Sequence, residues 1–234
     1  MTIRWETTQS GGSTMRIYAG VPHRKGPLPA ILVAHHAGGV DEQMQDTVHR
    51  LFREGYVVAA PDLYHRQAAD VDPKKRPSLL IGGEIIADLN ATIAHIKKLE
   101  VPVGPIGIVG YCLGGRVSYL AATAISELKA AAVFYGGNMF NTVGDGPSPF
   151  DRTASIQCPI IGFTGADDTN PSPQDMQKID AELTRLNKPH EFHLYRDTAH
   201  AFHNFMEDRY RERAARSSWA SVLAFFTEHL KRVS

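Results

Sequence analysis

The sequence predicts an α/β fold, a mostly parallel central sheet flanked by helices on both faces, and three observations carry that expectation. Short apolar runs without polar alternation recur along the chain, stripes of helical period lie between them, and one run ends in a glycine-flanked cysteine followed at once by a helical pattern. Strands without polar alternation are buried on both faces, as in a parallel sheet covered by helices. Segments that alternate in type belong to the same architecture.

Taken in order, apolar runs at 30–34, 56–60, 106–109, 131–135 and 159–163 read as buried strands, and 190–195 as a further strand. Met44, Val48, Leu51 and Phe52 form a helical stripe that stops at Gly55, and Ile85, Leu89, Ile93 and Ile96 form a second. A third helix follows Cys112, a fourth spans about 174–186, and a fifth runs to the C-terminus through Trp219, Val222 and Phe226. The connections 62–83 and 136–156 are long for this rhythm. In such a topology they emerge at the carboxyl ends of strands, where ligands bind.

At 234 residues and 43% hydrophobic, the chain suits one well-buried core, so 1–234 reads as a single domain. Lys plus Arg and Asp plus Glu both number 25. The formal charge is zero, which leaves no standing positive field for nucleic acid or an anionic membrane and points to a small-molecule partner. Residues 1–6 show no basic-then-apolar leader, and no apolar run approaches the roughly 20 residues that cross a bilayer. The expectation is a cytoplasmic monomer or small homo-oligomer without a cofactor. The two cysteines, Cys112 and Cys158, are expected to stay unpaired in a reducing compartment, with Cys158 structural.

Gly110-Tyr111-Cys112-Leu113-Gly114-Gly115 reads as a nucleophile elbow. A sharp strand-to-helix turn strains its central residue, so residues two before and two after must be small. The turn lifts Cys112 above the sheet and aims a helix N-terminus at it, which favours the thiolate. Acyl transfer then needs a base and a group that orients it. His200, after the strand 190–195, and Asp168, after the strand through Phe163, supply them in the order nucleophile, acid, histidine used by α/β-hydrolases. Asp167 is the alternative acid. The oxyanion donors are expected to be the amides of Leu113 and, in His35-His36-Ala37-Gly38-Gly39, of Ala37. A rival reading gathers His35, His36, His200 and His203 into a zinc cluster, but no carboxylate or cysteine completes a familiar ligand spacing.

These residues, with Ala60-Pro61-Asp62-Leu63-Tyr64, Gly165 to Pro173 and Ala199-His200-Ala201-Phe202, give a chain that resembles the dienelactone hydrolases, or carboxymethylenebutenolidases, over most of its length. The resemblance implies an α/β-hydrolase fold and metal-free hydrolysis of an enol-lactone or activated ester through a thioester on Cys112, with Asp168 and His200 completing the triad. Two departures concern substrate. Where the family's dienelactone-cleaving members carry a glutamate that restrains the resting thiol, this chain has His36. Arginines that would grip a substrate carboxylate are not evident: the stretch after His200 reads Phe202-His203-Asn204-Phe205, and Arg76 lies in a gapped loop. The expectation is weak selectivity for carboxylated lactones, with neutral lactones or aryl esters turned over at least as well. His36, Tyr64, Arg66, Tyr111, Tyr135 and Phe202 are the expected substrate-binding residues. The competing functions are a hydrolase-fold protein that binds or senses a small ligand without turnover, against which an intact triad argues, and a thioester-forming acyltransferase.

Overall fold

The computed structural model describes residues 2–99, 101–144 and 146–231. A hairpin not anticipated from the sequence opens the chain: β1 (Thr2–Ser10) and β2 (Ser13–Val21) pair antiparallel. Gly11 and Gly12 join them at φ 55° and 80°. Left-handed conformations at both turn residues are what a two-residue hairpin with native twist requires. The Ser-Gly-Gly-Ser signal was available, but polar alternation on the flanking strands hid them from a search for buried runs.

The strands β3 (Leu28–Ala34), β4 (Val57–Pro61), β5 (Val103–Tyr111), β6 (Leu128–Phe134), β7 (Ile160–Gly165) and β8 (His190–Tyr195) complete the sheet. Its eight strands run in the order β1-β2-β4-β3-β5-β6-β7-β8, and every pair from β4 to β8 is parallel. The helices are α1 (Glu42–Arg53), α2 (Gly82–Ile96), α3 (Leu113–Ala124), α4 (Pro173–Arg185) and α5 (Glu212–Phe226). Asp41 caps α1 by accepting from the Met44 amide, and Ser172 with Asp175 forms a capping box at α4.

Successive strand residues face opposite layers. Ala30, Leu32, Ala34, Ile106 and Ile108 pack with α2, α3 and α4, while Ile31, Val33, Val109 and Tyr111 pack with α1 and α5. The register sets Ala34 beside Gly110, Tyr111 beside Phe134, and Phe134 beside Phe163. The carboxyl ends of β3, β5, β6 and β7 therefore finish level, and their loops open onto one edge of the sheet. None of the described helices is long and apolar enough to cross a membrane.

Candidate active site

Cys112 leaves β5 at φ 55° and ψ −114°. Its amide donates to the Phe134 carbonyl at 3.0 Å and its carbonyl accepts from the Arg116 amide at 3.2 Å, so the strained residue is pinned between sheet and helix. A Cβ on Gly110 would collide with the Gly114 carbonyl, and one on Gly114 with the Ala34 carbonyl. The two glycines are therefore demanded by contact.

The acid and the histidine are held to each other by backbone as well as side chain. Asp167 donates its amide to the Thr198 carbonyl at 2.9 Å, which ties the loop after β7 to the loop after β8. Asp168, 1% exposed at its side chain, accepts from the Asn170 amide at 2.9 Å and receives His200 Nδ1–H at 2.9 Å. Asp167 itself is exposed, so geometry separates the two aspartates. Burial disfavours charge on His200, yet the hydrogen bonds and charges of Asp168 and Cys112 outweigh it and lift its pKa to about 9. Tyr135 braces the imidazole, ring edge to ring face, at 5.1 Å.

Cys112, His200 and Asp168 share one cavity of about 600 Å³ with Ala37 and Leu113, and neither of the last two amides has a hydrogen-bond partner among the described residues. The far wall comes from the long connections 62–83 and 136–156 and from the segment after His200. These segments supply Lys74, Arg209, Asn138 and Asn141, while α3 adds Arg116 and the loop after β7 adds Asn170. Arg116, one turn beyond Cys112 on α3, is half-buried and donates Nη2–H to the Asn141 and Thr142 carbonyls, while its buried Nε has no partner. No carboxylate pairs with Arg116 among the described residues. Sequence reading missed all three cations. Arg116 had a usable signal, its helical spacing from Cys112.

The six residues expected to bind substrate all lie off the cavity wall. Arg66 is drawn away by Asp88, to which both guanidinium nitrogens donate at 2.7 Å. Tyr111 ends β5 facing the α1 and α5 layer, stacked on Phe134 at 4.6 Å. Phe202 is fully buried between Tyr135 and Tyr195, and Tyr135 supports His200. His36 turns aside, its Nε2 on Asp41 at 2.8 Å and its Nδ1 accepting from the Gly38 amide. Tyr64 spends its hydroxyl on the Ala37 carbonyl at 3.1 Å. Arg76 binds the Val71 and Ala69 carbonyls of its own loop.

The four histidines of the zinc reading do not converge. His35 and His36 serve different partners, His200 faces Asp168, and His203 lies against Tyr111, Phe134 and Trp219, where burial lowers its pKa to about 3. Cys158 is buried apart from the cavity, and burial raises its thiol to about 11.

Comparison with known proteins adds the following. Residues 15–230 match the family described as "Dienelactone hydrolase family". A protein of Synechocystis sp. named "Putative carboxymethylenebutenolidase" is 31% identical over 226 residues, covering 92% of this chain and 92% of its own. One of the same name from Salmonella typhimurium is 30% identical over 229 residues, covering 94% and 85%. A solved structure from Klebsiella pneumoniae described as "Putative Dienelactone Hydrolase" superposes with a TM-score of 0.86 at 30% identity, covering 97% of this chain and 99% of that one.

Proposed function

The chain belongs to the dienelactone hydrolase family and is a hydrolase of lactone or ester bonds, and from that premise we propose that it acts through Cys112 as nucleophile, His200 as acid and base and Asp168 as the group that orients His200. The observation that supports this most is convergence. A strained cysteine, a histidine hydrogen-bonded to a buried carboxylate and two unpartnered amides meet at one cavity.

The Cys112 thiolate adds to the carbonyl carbon, and the Ala37 and Leu113 amides receive the charge that develops on oxygen. Such donors are worth about 2.7–4 kcal/mol each in comparable sites. The C–O bond then breaks, and the imidazolium of His200 gives its proton to the departing alkoxide, which stays attached to the acyl chain when the substrate is a lactone. A water deprotonated by His200 attacks the thioester, the C–S bond breaks to release the carboxylic acid, and the thiolate is restored beside the imidazolium.

The wall of Lys74, Arg116 and Arg209 revises the expected preference for neutral substrates. A guanidinium in the same cavity as Cys112, with no carboxylate partner among the described residues, suits an ester or lactone that carries its own carboxylate, by about 1.5–3 kcal/mol for each charge-assisted contact. The direct test is mass spectrometry after an ester panel. An acyl adduct on Cys112 is expected, and turnover by Cys112→Ala protein with no adduct would overturn the mechanism. A paired kcat/KM for a carboxylated lactone and its methyl ester tests the wall, with the free acid expected to lead.

A further inference from the structure

The segment Pro61-Asp62-Leu63-Tyr64 contributes no reacting group, yet it meets the loop after β3 at two points. His35, fully buried, accepts the Leu63 amide at Nε2 at 3.1 Å. A backbone amide can only donate, so the proton of the neutral ring sits on Nδ1, and Nδ1–H donates to the His36 carbonyl at 2.7 Å. That carbonyl also accepts from the Gly39 amide at 3.1 Å. One residue on, the Tyr64 hydroxyl donates to the Ala37 carbonyl at 3.1 Å, and its ring lies 4.8 Å from that of His35.

The carbonyl of His36 and the amide of Ala37 belong to one trans peptide and point in opposite directions. Fixing the first toward His35 turns the second outward, on the side where Ala37 lines the cavity with Cys112 and Leu113. Tyr64 fixes the next peptide as well. We infer that His35 and Tyr64 are positioning residues that hold the Ala37 amide as a preformed oxyanion donor, an inference that rests on the acyl-transfer reading above. Burial holds His35 below the ordinary imidazole range, which keeps the ring in the neutral form the arrangement requires. Without the pair, the 36–37 peptide is free to rotate its amide away from the substrate and its carbonyl toward it.

The test compares His35→Leu, which removes donor and acceptor, with His35→Gln, whose amide supplies one of each. Each variant is assayed for kcat and KM with an aryl ester and for Cys112 alkylation by iodoacetamide, a displacement of iodide at a saturated carbon that forms no oxyanion. For His35→Leu a kcat loss of about 100-fold is expected, the scale of one lost oxyanion donor, with KM and alkylation changed less than about threefold. His35→Gln should recover most of kcat. Tyr64→Phe, a single hydroxyl deletion, should lose about tenfold in kcat alone and keeps the test alive if His35→Leu fails to fold. A kcat loss less than about ten times the alkylation loss overturns the inference, as does failure of His35→Gln to exceed His35→Leu. If ester turnover instead survives Cys112→Ala, the nucleophile reading has failed, and that result is distinct from any outcome at His35.

Discussion

The two walls of the cavity are built in opposite ways. The reacting wall consists of residues that sit at strand ends: Ala37 after β3, Cys112 after β5, Asp168 after β7 and His200 after β8. Sheet register brings them together; backbone bonds pin Cys112 and Asp168, and side-chain bonds from Tyr64 and to Asp168 steady Ala37 and His200. The opposite wall takes Lys74 and Arg209 from long connections that fold back and Arg116 from α3, its guanidinium steadied by the Asn141 and Thr142 carbonyls of such a connection. On the proposed mechanism the strand-end residues carry the chemistry, while the loops are free to set which substrate is presented to them.

The largest effects should fall on the reacting wall. Cys112→Ala should abolish ester hydrolysis and leave the fold intact, because the elbow accepts a small residue, whereas Cys158→Ala should change kcat/KM by less than about twofold. His200→Ala and Asp168→Asn should each cost on the order of 10²–10⁴ in kcat. Their double variant should be scarcely worse than the poorer single, since groups that act as a unit are not additive. Asp167→Asn, at an exposed side chain, should pass nearly unnoticed. Additive losses in the double variant, or a large loss at Asp167, would break the proposed pairing of Asp168 with His200.

This contrast also explains what the sequence made legible. The parallel strands, the five helices and the residues gathered at the site could be read because each depends on local pattern: an apolar run, a stripe, or a glycine two places from a cysteine. The hairpin before β3 escaped because half-exposed strands alternate polarity. The residues expected to bind substrate lie off the cavity wall for a different reason. Tyr111 and Phe202 lie within two residues of Cys112 and His200 in the chain, but alternation along β5 and the turn at Ala201, with φ 61°, send their rings into the opposite layer. Arg66 looked free until Asp88, far away on α2, claimed it. Adjacency in sequence predicts side-chain direction poorly where backbone strain reorients the chain.

Arg116 and Arg66 sharpen the comparison at intermediate scale. Arg116→Ala should lower kcat/KM for a carboxylated lactone by about 10–100-fold and barely affect the methyl ester, the loss of one charge-assisted contact. Arg66→Ala should leave the acid-to-ester ratio alone and cost up to about 3 kcal/mol of stability, because Asp88 is 1% exposed and would lose its guanidinium while keeping its contacts with Ser10 and His65. Denaturant unfolding together with the paired kinetics separates the two. An acid-to-ester ratio that shifts with Arg66 and not with Arg116 would reverse the assignment of the binding wall.

The smallest expected effect is the pH dependence of His200. Its pKa in the folded chain is about 9, raised by Asp168 and Cys112 against the opposing effect of burial. An unfolded histidine titrates near 6.5. The raised value means that the stabilisation is fully present below about pH 6.5 and is lost as pH rises through about 9. On the proposed mechanism the same proton is the one delivered to the leaving alkoxide, so kcat/KM should fall above about pH 9, approaching tenfold per pH unit. In Asp168→Asn one raising contribution is gone, and both the kinetic limb and the imidazole titration followed by NMR should move to lower pH. A profile that instead climbs through pH 6.5, as an imidazole acting only as a base would give, would remove the thiolate and imidazolium pair from the resting site.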